Sequence, residues 1–220
     1  MEKYLEILSK CRLFENMENE NITAMLNCLG AEIHSCGKNQ NIFTEGEPAS
    51  HMGIMLSGKA NIIRVDFYGN RSIVTVIEPP QLFGESFGCA ETKSVPVNVA
   101  AESDCEVMLI DIQKILHPCC NACEFHSRII FNLMKSIAEK NLLLNQKIEI
   151  ISRRTTREKL MTYLMIQAKV NGSSFTIPYD RQGLADFLEV DRSGLSAEIS
   201  KLRKENVIEC KRNFFRLLGK

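Results

Sequence analysis

Two stretches of this sequence carry side chains whose types and spacing could do chemistry. The first runs from residue 181 to residue 212. Arg181 and Gln182 open one short helical pattern. Arg192, Ser193, Ser196, Ala197, Ser200 and Lys201 recur on the polar face of a second, and Lys211 and Arg212 follow it. Short polar side chains near a helix start suit base edges in the DNA major groove, where an arginine can pair bidentately with guanine. Peripheral lysines and arginines suit phosphates, which supply affinity without sequence reading. The second stretch is His117-Pro118-Cys119-Cys120-Asn121-Ala122-Cys123-Glu124-Phe125-His126. Cys120 and Cys123 have the C-x-x-C spacing of zinc, iron–sulfur and redox sites. No second C-x-x-C occurs in the sequence to close a four-cysteine site, so no metal is assigned. A metal or redox sensor using Cys119, Cys120 and Cys123 stays open as an alternative. His34 and His51 stand on separate segments, no H-x-H pair occurs, and no nucleophile has a placed base, so the sequence points away from an enzyme.

Elements must position the 181–212 side chains. Residues 181–188 read as a helix with Asp180 as N-cap, Leu184 and Leu188 inward, and Ala185 small where two helices approach. Glu189-Val190-Asp191 is a short turn, and Asp191 caps a second helix over 192–204 with Leu195, Ile199 and Leu202 buried. Two short helices joined this way are a helix-turn-helix. Val207–Cys210 and Phe214–Leu218, joined by Lys211-Arg212-Asn213, read as the wing of a winged helix. Upstream, residues 152–156 read as a hinge, with Thr156 capping a helix that carries Leu160, Tyr163, Leu164 and Ile166. Residues 125–152 contain no Gly or Pro. Ile130, Met134, Ile137, Asn141, Leu144, Ile148 and Ile151 fall there at alternating spacings of four and three, a coiled-coil seam. Such a helix is ~42 Å long at 1.5 Å per residue, and a second copy of the chain is its natural partner. A core helix packed within one chain is the plainer alternative. Residues 1–30 look helical, with Asn21 capping a second short helix. Between about 31 and 110 short apolar or alternating stretches are separated by turn residues, the pattern of an antiparallel sandwich or barrel, with a hairpin turn at Tyr68-Gly69-Asn70.

The chain has 220 residues, 27 basic and 27 acidic, with 45% apolar and 25% charged. That composition excludes a disordered or collagen-like chain. The zero net charge is uneven. Residues 1–150 hold 13 basic and 19 acidic side chains, net −6, and residues 151–220 hold 14 and 8, net +6. The basic third coincides with the helix-turn-helix and is where a polyanion would bind. No apolar run approaches the ~20 residues of a membrane span, and Met1-Glu2-Lys3-Tyr4 does not open a secretion signal. A cytoplasmic location without a membrane partner is expected, and the nine cysteines read as free thiols.

The strand-rich half, long helix and winged helix-turn-helix together resemble the cAMP receptor protein/fumarate-nitrate regulator (Crp/Fnr) family over nearly the whole chain. The resemblance is carried by Gly37 followed by Ile42-Phe43-Thr44-Glu45-Gly46-Glu47-Pro48, by Met55-Leu56-Ser57-Gly58-Lys59-Ala60, by Phe83-Gly84-Glu85-Ser86, and by Asp191-Arg192-Ser193-Gly194-Leu195-Ser196-Ala197-Glu198-Ile199-Ser200-Lys201-Leu202. It implies an α+β chain with a cyclic-nucleotide-binding-type β jelly roll (1–124), a dimerisation helix (125–152) and a winged helix-turn-helix (153–220). The implied function is a homodimeric, sequence-specific transcription regulator of double-stranded DNA, gated by a small-molecule effector, with RNA polymerase as a further partner. In family members that bind cyclic nucleotides, a Gly-Glu pair contacts the ribose and a later Arg-Ser pair the cyclic phosphate. Gly84 and Glu85 match the first pair, but Val95 and Pro96 stand at the second and match neither. The phosphate would lose its charge-assisted partner, and Pro96 has no N–H to donate. An effector other than cyclic AMP is therefore expected, in a pocket of Phe83, Gly84, Glu85, Ser86, Val95 and Pro96 with Leu144 and Asn145 of the long helix. No cofactor is named. Glu189 lies where such turns often carry Gly, and Ala197 where relatives often carry Arg. A protein-interaction module that does not bind DNA is the alternative from another class.

Overall fold

In the computed structural model, which describes residues 2–65, 67–68, 71–117 and 124–218, the chain forms two compact bodies, residues 1–139 and 140–220. The first begins with helices α1 (Leu5–Leu8) and α2 (Asn19–Leu29). Eight strands follow: β1 (Glu32–Cys36), β2 (Asn41–Phe43), β3 (His51–Ser57), β4 (Ala60–Val65), β5 (Arg71–Ile77), β6 (Leu82–Phe83), then helix α3 (Glu85–Cys89), β7 (Asn98–Ala101) and β8 (Cys105–Asp111). Helix α4 (Ile112–Leu116) precedes the long helix α5 (Glu124–Ile151), in which the boundary between the bodies falls. The strands form two four-stranded sheets, β1-β8-β3-β6 and β2-β7-β4-β5, with every pairing antiparallel. This is the antiparallel sandwich expected from the turn-punctuated apolar stretches, and the jelly roll that the family resemblance implies.

Side-chain alternation divides β3 and β8 between two cores. Met55, Cys105 and Val107 point between the sheets with Phe43, Phe83, Val97 and Val99. Met52, Ile54, Leu56, Met108 and Ile110 point the other way, onto α1, α2 and the start of α5. Each Leu, Ile, Phe or Met fully buried this way contributes about 1.5–3 kcal/mol. Gly53 is required inside β3, because a Cβ there would lie 2.0 Å from the Phe83 ring. β4 and β5 make the expected hairpin, Val65 opposite Arg71, while Gly69 and Asn70 of its turn lie outside the described residues.

Two expected caps move. Helix α2 starts on Glu18, three residues before Asn21, since Ile22, Met25, Leu26 and Leu29 are all buried and need the extra turn. The helix after the hinge, α6 (Thr156–Asn171), is capped by Thr155. Its hydroxyl accepts from Glu158 N–H at 3.1 Å, and the Glu158 carboxylate accepts from Thr155 N–H at 3.0 Å, a capping box. Helix α5 carries more than the single seam expected. Ile129 and Leu133 are buried in the first body, Ile130 and Ile137 pack partly against the same core, and Asn132 donates to the carbonyls of Leu13 and Glu15 at 3.0 Å each. Met134, Leu144 and Ile148 stay 58–63% exposed, and Phe131, Leu142 and Leu143 nearby 63–65%. Asn141 is exposed and Ile151 half-buried.

The second body contains α6, β9 (Ser174–Thr176), α7 (Arg181–Leu188), α8 (Arg192–Lys204), β10 (Ile208–Lys211) and β11 (Phe214–Leu217). Its sheet has the order β10-β11-β9. Leu160, Leu164, Leu184, Leu188, Leu195 and Leu202 are fully buried around Phe215. Among the described residues no helix is long and apolar enough to cross a membrane.

Candidate nucleic-acid interface

Helix α8 begins on Asp191, as its sequence requires. The carboxylate accepts from Gly194 N–H at 2.9 Å and from the Ser193 hydroxyl. These bonds, the Ser193 hydroxyl first, hold the Asp191 carboxyl below the usual carboxylate range. Leu195, Ile199 and Leu202 anchor the inner face. Arg192, Ser193, Ala197, Ser200 and Lys201 lie exposed on the other side, and Ser196 is half-buried beside them. The Ser200 hydroxyl donates to the Ser196 carbonyl at 2.9 Å. The acidic residue of α8, Glu198, is neutralised by Arg157 of α6 at 3.2 Å, which also holds Glu205 at 2.5 Å.

The wing is the hairpin β10–β11, with Lys211 opposite Phe214 and Arg212-Asn213 at the tip. Arg181 braces this tip. Its guanidinium donates to the Arg212 carbonyl at 3.3 Å and approaches Cys210 Sγ at 3.4 Å. Gln182 donates to Asp186 Oδ1 at 2.8 Å. Arg181 and Gln182 thus have protein partners, as do the Ser193 and Ser200 hydroxyls, while Lys211 and the Arg212 side chain stay exposed. Between the last turn of α8 and the wing lies an open groove of about 700 Å³, to which Ser200, Arg203, Lys204, Asn206, Lys211 and Phe214 contribute. Asn206 and Phe214 were not anticipated as part of this surface. A basic last turn in α8 also complements the carbonyl end of the helix dipole.

The turn between α7 and α8 is held from outside. Glu189 takes the left-handed conformation, φ 53°, that Gly would adopt more freely. Val190 N–H bonds to Ala185 O at 3.1 Å, and Lys159 donates to the Glu189 carbonyl at 3.2 Å. One turn back, Lys147 of α5 donates to the Phe187 carbonyl and sits 4.1 Å from the Phe187 ring centroid. Phe187 stacks on Tyr179 at 5.0 Å and meets Tyr163 at 5.3 Å. Burial pushes the Tyr163 hydroxyl up to about 12. Two cations therefore sit on the carbonyl end of α7.

In the first body, Phe83 and Val95 pack in the same core between the sheets, and Gly84, Glu85 and Ser86 follow Phe83 into the start of α3. Gly84, φ 77°, caps α3, and a Cβ there would meet Phe43 at 2.6 Å. Glu85 is buried and Ser86 exposed. Burial first and then the charge of Glu85 raise the Cys89 thiol. Val95 is buried between the sheets. Its N–H donates to Glu47 O at 2.8 Å, and its carbonyl accepts from Gly46 N–H at 2.9 Å. Where a phosphate would need a cation and a free N–H, Val95 offers an apolar side chain and a committed backbone. Pro96 is exposed. The one cation in the sequence between Gly84 and Pro96 is Lys93, which is exposed. Leu144 and Asn145 belong to the second body, where Asn145 donates to Asn141 Oδ1 at 2.7 Å.

Cys119, Cys120 and Cys123 lie outside the described residues. His126 is buried at the start of α5 with Nε2 2.8 Å from Ile115 O. Among the described residues no group of three or more His, Cys, Asp or Glu side chains could hold a metal ion.

Comparison with known proteins bears on both bodies. The family model of the cyclic nucleotide-binding domain matches residues 33–119, and that of the Crp-like helix-turn-helix domain matches residues 158–218. The CRP-like cAMP-activated global transcriptional regulator of Mycobacterium tuberculosis is 32% identical over 80 residues, which are 36% of this chain and 35% of that protein. The chain thus matches about a third of that relative's length. Among solved structures, the c-di-GMP responsive global regulator CLP of Xanthomonas campestris is similar at TM-score 0.54 and 16% identity, over 92% of this chain and 100% of that one. DNR of Pseudomonas aeruginosa is similar at TM-score 0.53 and 17% identity, over 100% of this chain and 96% of that one. At such identities the likeness is one of fold.

Proposed function

Since the chain belongs to the Crp/Fnr family of DNA-binding transcription regulators, a non-enzymatic class, we propose that it is a homodimeric, sequence-specific regulator gated by a small molecule other than cyclic AMP. The observation that carries the DNA reading is the outer face of α8. Arg192, Ser196, Ala197 and Ser200 present a low, polar surface there, flanked by the cationic groove of Arg203, Lys204 and Lys211. Arg192, in the first turn, reaches base edges. Lys201, Lys211 and Arg212 hold phosphates. Arg181 and Gln182 support the interface from within the protein. Promoter DNA and, beside it, RNA polymerase are the macromolecular partners of such a regulator.

The effector reading rests on Val95, whose side chain and backbone are both already used. A ligand that favours one arrangement of the hinge at 152–156 would change DNA affinity by its difference in affinity for the two arrangements. In the stretch between Gly84 and Pro96, the cyclic nucleotide that activates the Mycobacterium tuberculosis relative would find one cation in sequence, Lys93. Calorimetric titration with cyclic AMP is expected to give no binding heat. Saturable heat that disappears in Lys93→Ala would assign the phosphate to that lysine and overturn the effector reading.

The DNA reading is tested with duplexes followed by fluorescence anisotropy across salt. Affinity falls steeply with salt if phosphates are neutralised. Arg192→Ala is expected to cost about 1–3 kcal/mol of discrimination at one base position and to leave the salt slope nearly unchanged. Lys211→Ala weakens binding to all sequences and lowers the slope by about 1. Equal effects on all sequences from both variants would remove α8 from the reading role.

A further inference from the structure

We infer that Cys36 and Cys105 form a reversible dithiol–disulfide couple in the jelly roll, a site independent of the DNA and effector readings. Cys36 ends β1 and Cys105 begins β8, and the two are direct partners in the antiparallel ladder. Directly opposed residues in such a ladder share a sheet face, with Cα atoms about 4.5–5.5 Å apart. A disulfide spans about 4.4–6.8 Å between Cα atoms, so bridging needs side-chain rotation and no movement of the strands. Both side chains pack against the core between the sheets.

The pair is asymmetric in the way a redox couple requires. β1 is the edge strand of its sheet, and Cys36 on it is half-buried, the more accessible residue of the two. Cys105 is 4% exposed. Its thiol is made less acidic by burial first, then by Cys36 and by the carboxylate of Asp104. The backbone around both is clamped. Asp104 Oδ1 accepts from Lys38 N–H at 2.9 Å, and Gly37 N–H donates to Gln40 Oε1 at 2.7 Å. A Cβ on Gly58 would come within 2.6 Å of Cys105 Cβ, so the space beside that thiol is already filled.

Hydrogen peroxide is the oxidant class this arrangement takes. The Cys36 thiolate attacks one peroxide oxygen, the O–O bond breaks, and water leaves with a sulfenic acid on Cys36. The Cys105 sulfur then attacks the Cys36 sulfur, the S–O bond breaks, and a second water leaves as the S–S bond forms. The two sulfurs give up two electrons in total, and the peroxide is reduced to two waters. A dithiol reverses the bridge by exchange. The bridge would fasten the edge strand to the core that also contains Phe83 and Val95.

The test uses the full chain carrying Cys28→Ser, because trypsin leaves Cys28 and Cys36 on one peptide, residues 13–38, and Cys105 alone on residues 94–114. The protein is treated with stoichiometric hydrogen peroxide, remaining thiols are alkylated after unfolding, and the digest is read by mass spectrometry. The expected result is peptide 13–38 joined to 94–114, lighter by two hydrogens than the reduced pair. It should vanish after dithiothreitol and in Cys36→Ser. Recovery of Cys36 and Cys105 on separate peptides, or of Cys36 joined to another cysteine, would overturn the inference.

Discussion

Glu189 shows how much a single residue can cost. A non-glycine side chain in the left-handed region costs roughly 1–2 kcal/mol, and Glu189 adopts it at φ 53° between α7 and α8. The turn persists because Lys159 and the Val190 N–H tie down its carbonyls. Glu189→Gly should therefore raise the stability of the chain by about 0.5–1 kcal/mol, part of the gain being lost to glycine's freedom in the unfolded state. Urea unfolding measures this, and a destabilised variant would mean that the glutamate side chain holds the turn. At this scale the sequence was readable where one residue has one job. Asp180, Asp191 and the buried Leu195, Ile199 and Leu202 stand where spacing put them. It was not readable where two residues compete for one job. Thr155 and Thr156 are both good caps, and the choice falls to the one with Glu158 three residues on. Arg181 and Gln182 look free in sequence, yet meet Arg212 and Asp186 only once the chain is folded.

Among elements, the end of α5 and the carbonyl end of α7 form a joint through Lys147 and Phe187. A partly buried cation over a ring and beside helix carbonyls is worth about 1–2 kcal/mol. Burial holds the Lys147 ammonium below its ordinary value, which marks the same contact as partly dry. Lys147→Met and Phe187→Leu should be non-additive, with a coupling of at least about 0.5 kcal/mol in a double-mutant cycle by urea unfolding. Additive losses would leave the joint without energetic content. Thr155→Ala should cost about 1 kcal/mol at neutral pH. The Glu158 carboxyl is held low by its bonds from Thr155. Its contribution is present above the ordinary carboxylate range and lost as pH falls through the folded-state value, so the deficit should shrink on acidification. A deficit constant from neutral to strongly acid pH would contradict the capping box. Strands β1 and β6 and helices α3 and α4 were not legible as elements. β1 is an exposed edge with a polar pattern, and β6 is two residues long. Tertiary pairing, and not local periodicity, makes them.

For the whole molecule, the charge division and the exposed stripe on α5 carry the account. Met134, Leu144 and Ile148 are too exposed for a helix that has already buried Ile129 and Leu133 in its own body. A second copy is the proposed cover, and Leu144→Glu should shift the chain from dimer to monomer in sedimentation equilibrium and weaken DNA binding with it. A dimer unmoved by Leu144→Glu would place the interface elsewhere. The strand-rich half and the basic helix-turn-helix were legible because the short alternating stretches end near residue 110 and the surplus of basic side chains begins near residue 150. The effector was not, because Val95 and Pro96 say which ligand chemistry is disfavoured and leave the favoured one unstated.

The most direct test is selection of binding sites from a randomised duplex library, with the wild-type chain and Arg192→Ala compared. The account predicts enrichment of a two-fold symmetric site whose half-site centres lie about 34 Å apart along the duplex, one helical turn. Arg192→Ala should lose preference at one base in each half-site and keep the rest. No enrichment, or a selected motif identical with and without Arg192, would contradict recognition of DNA through α8.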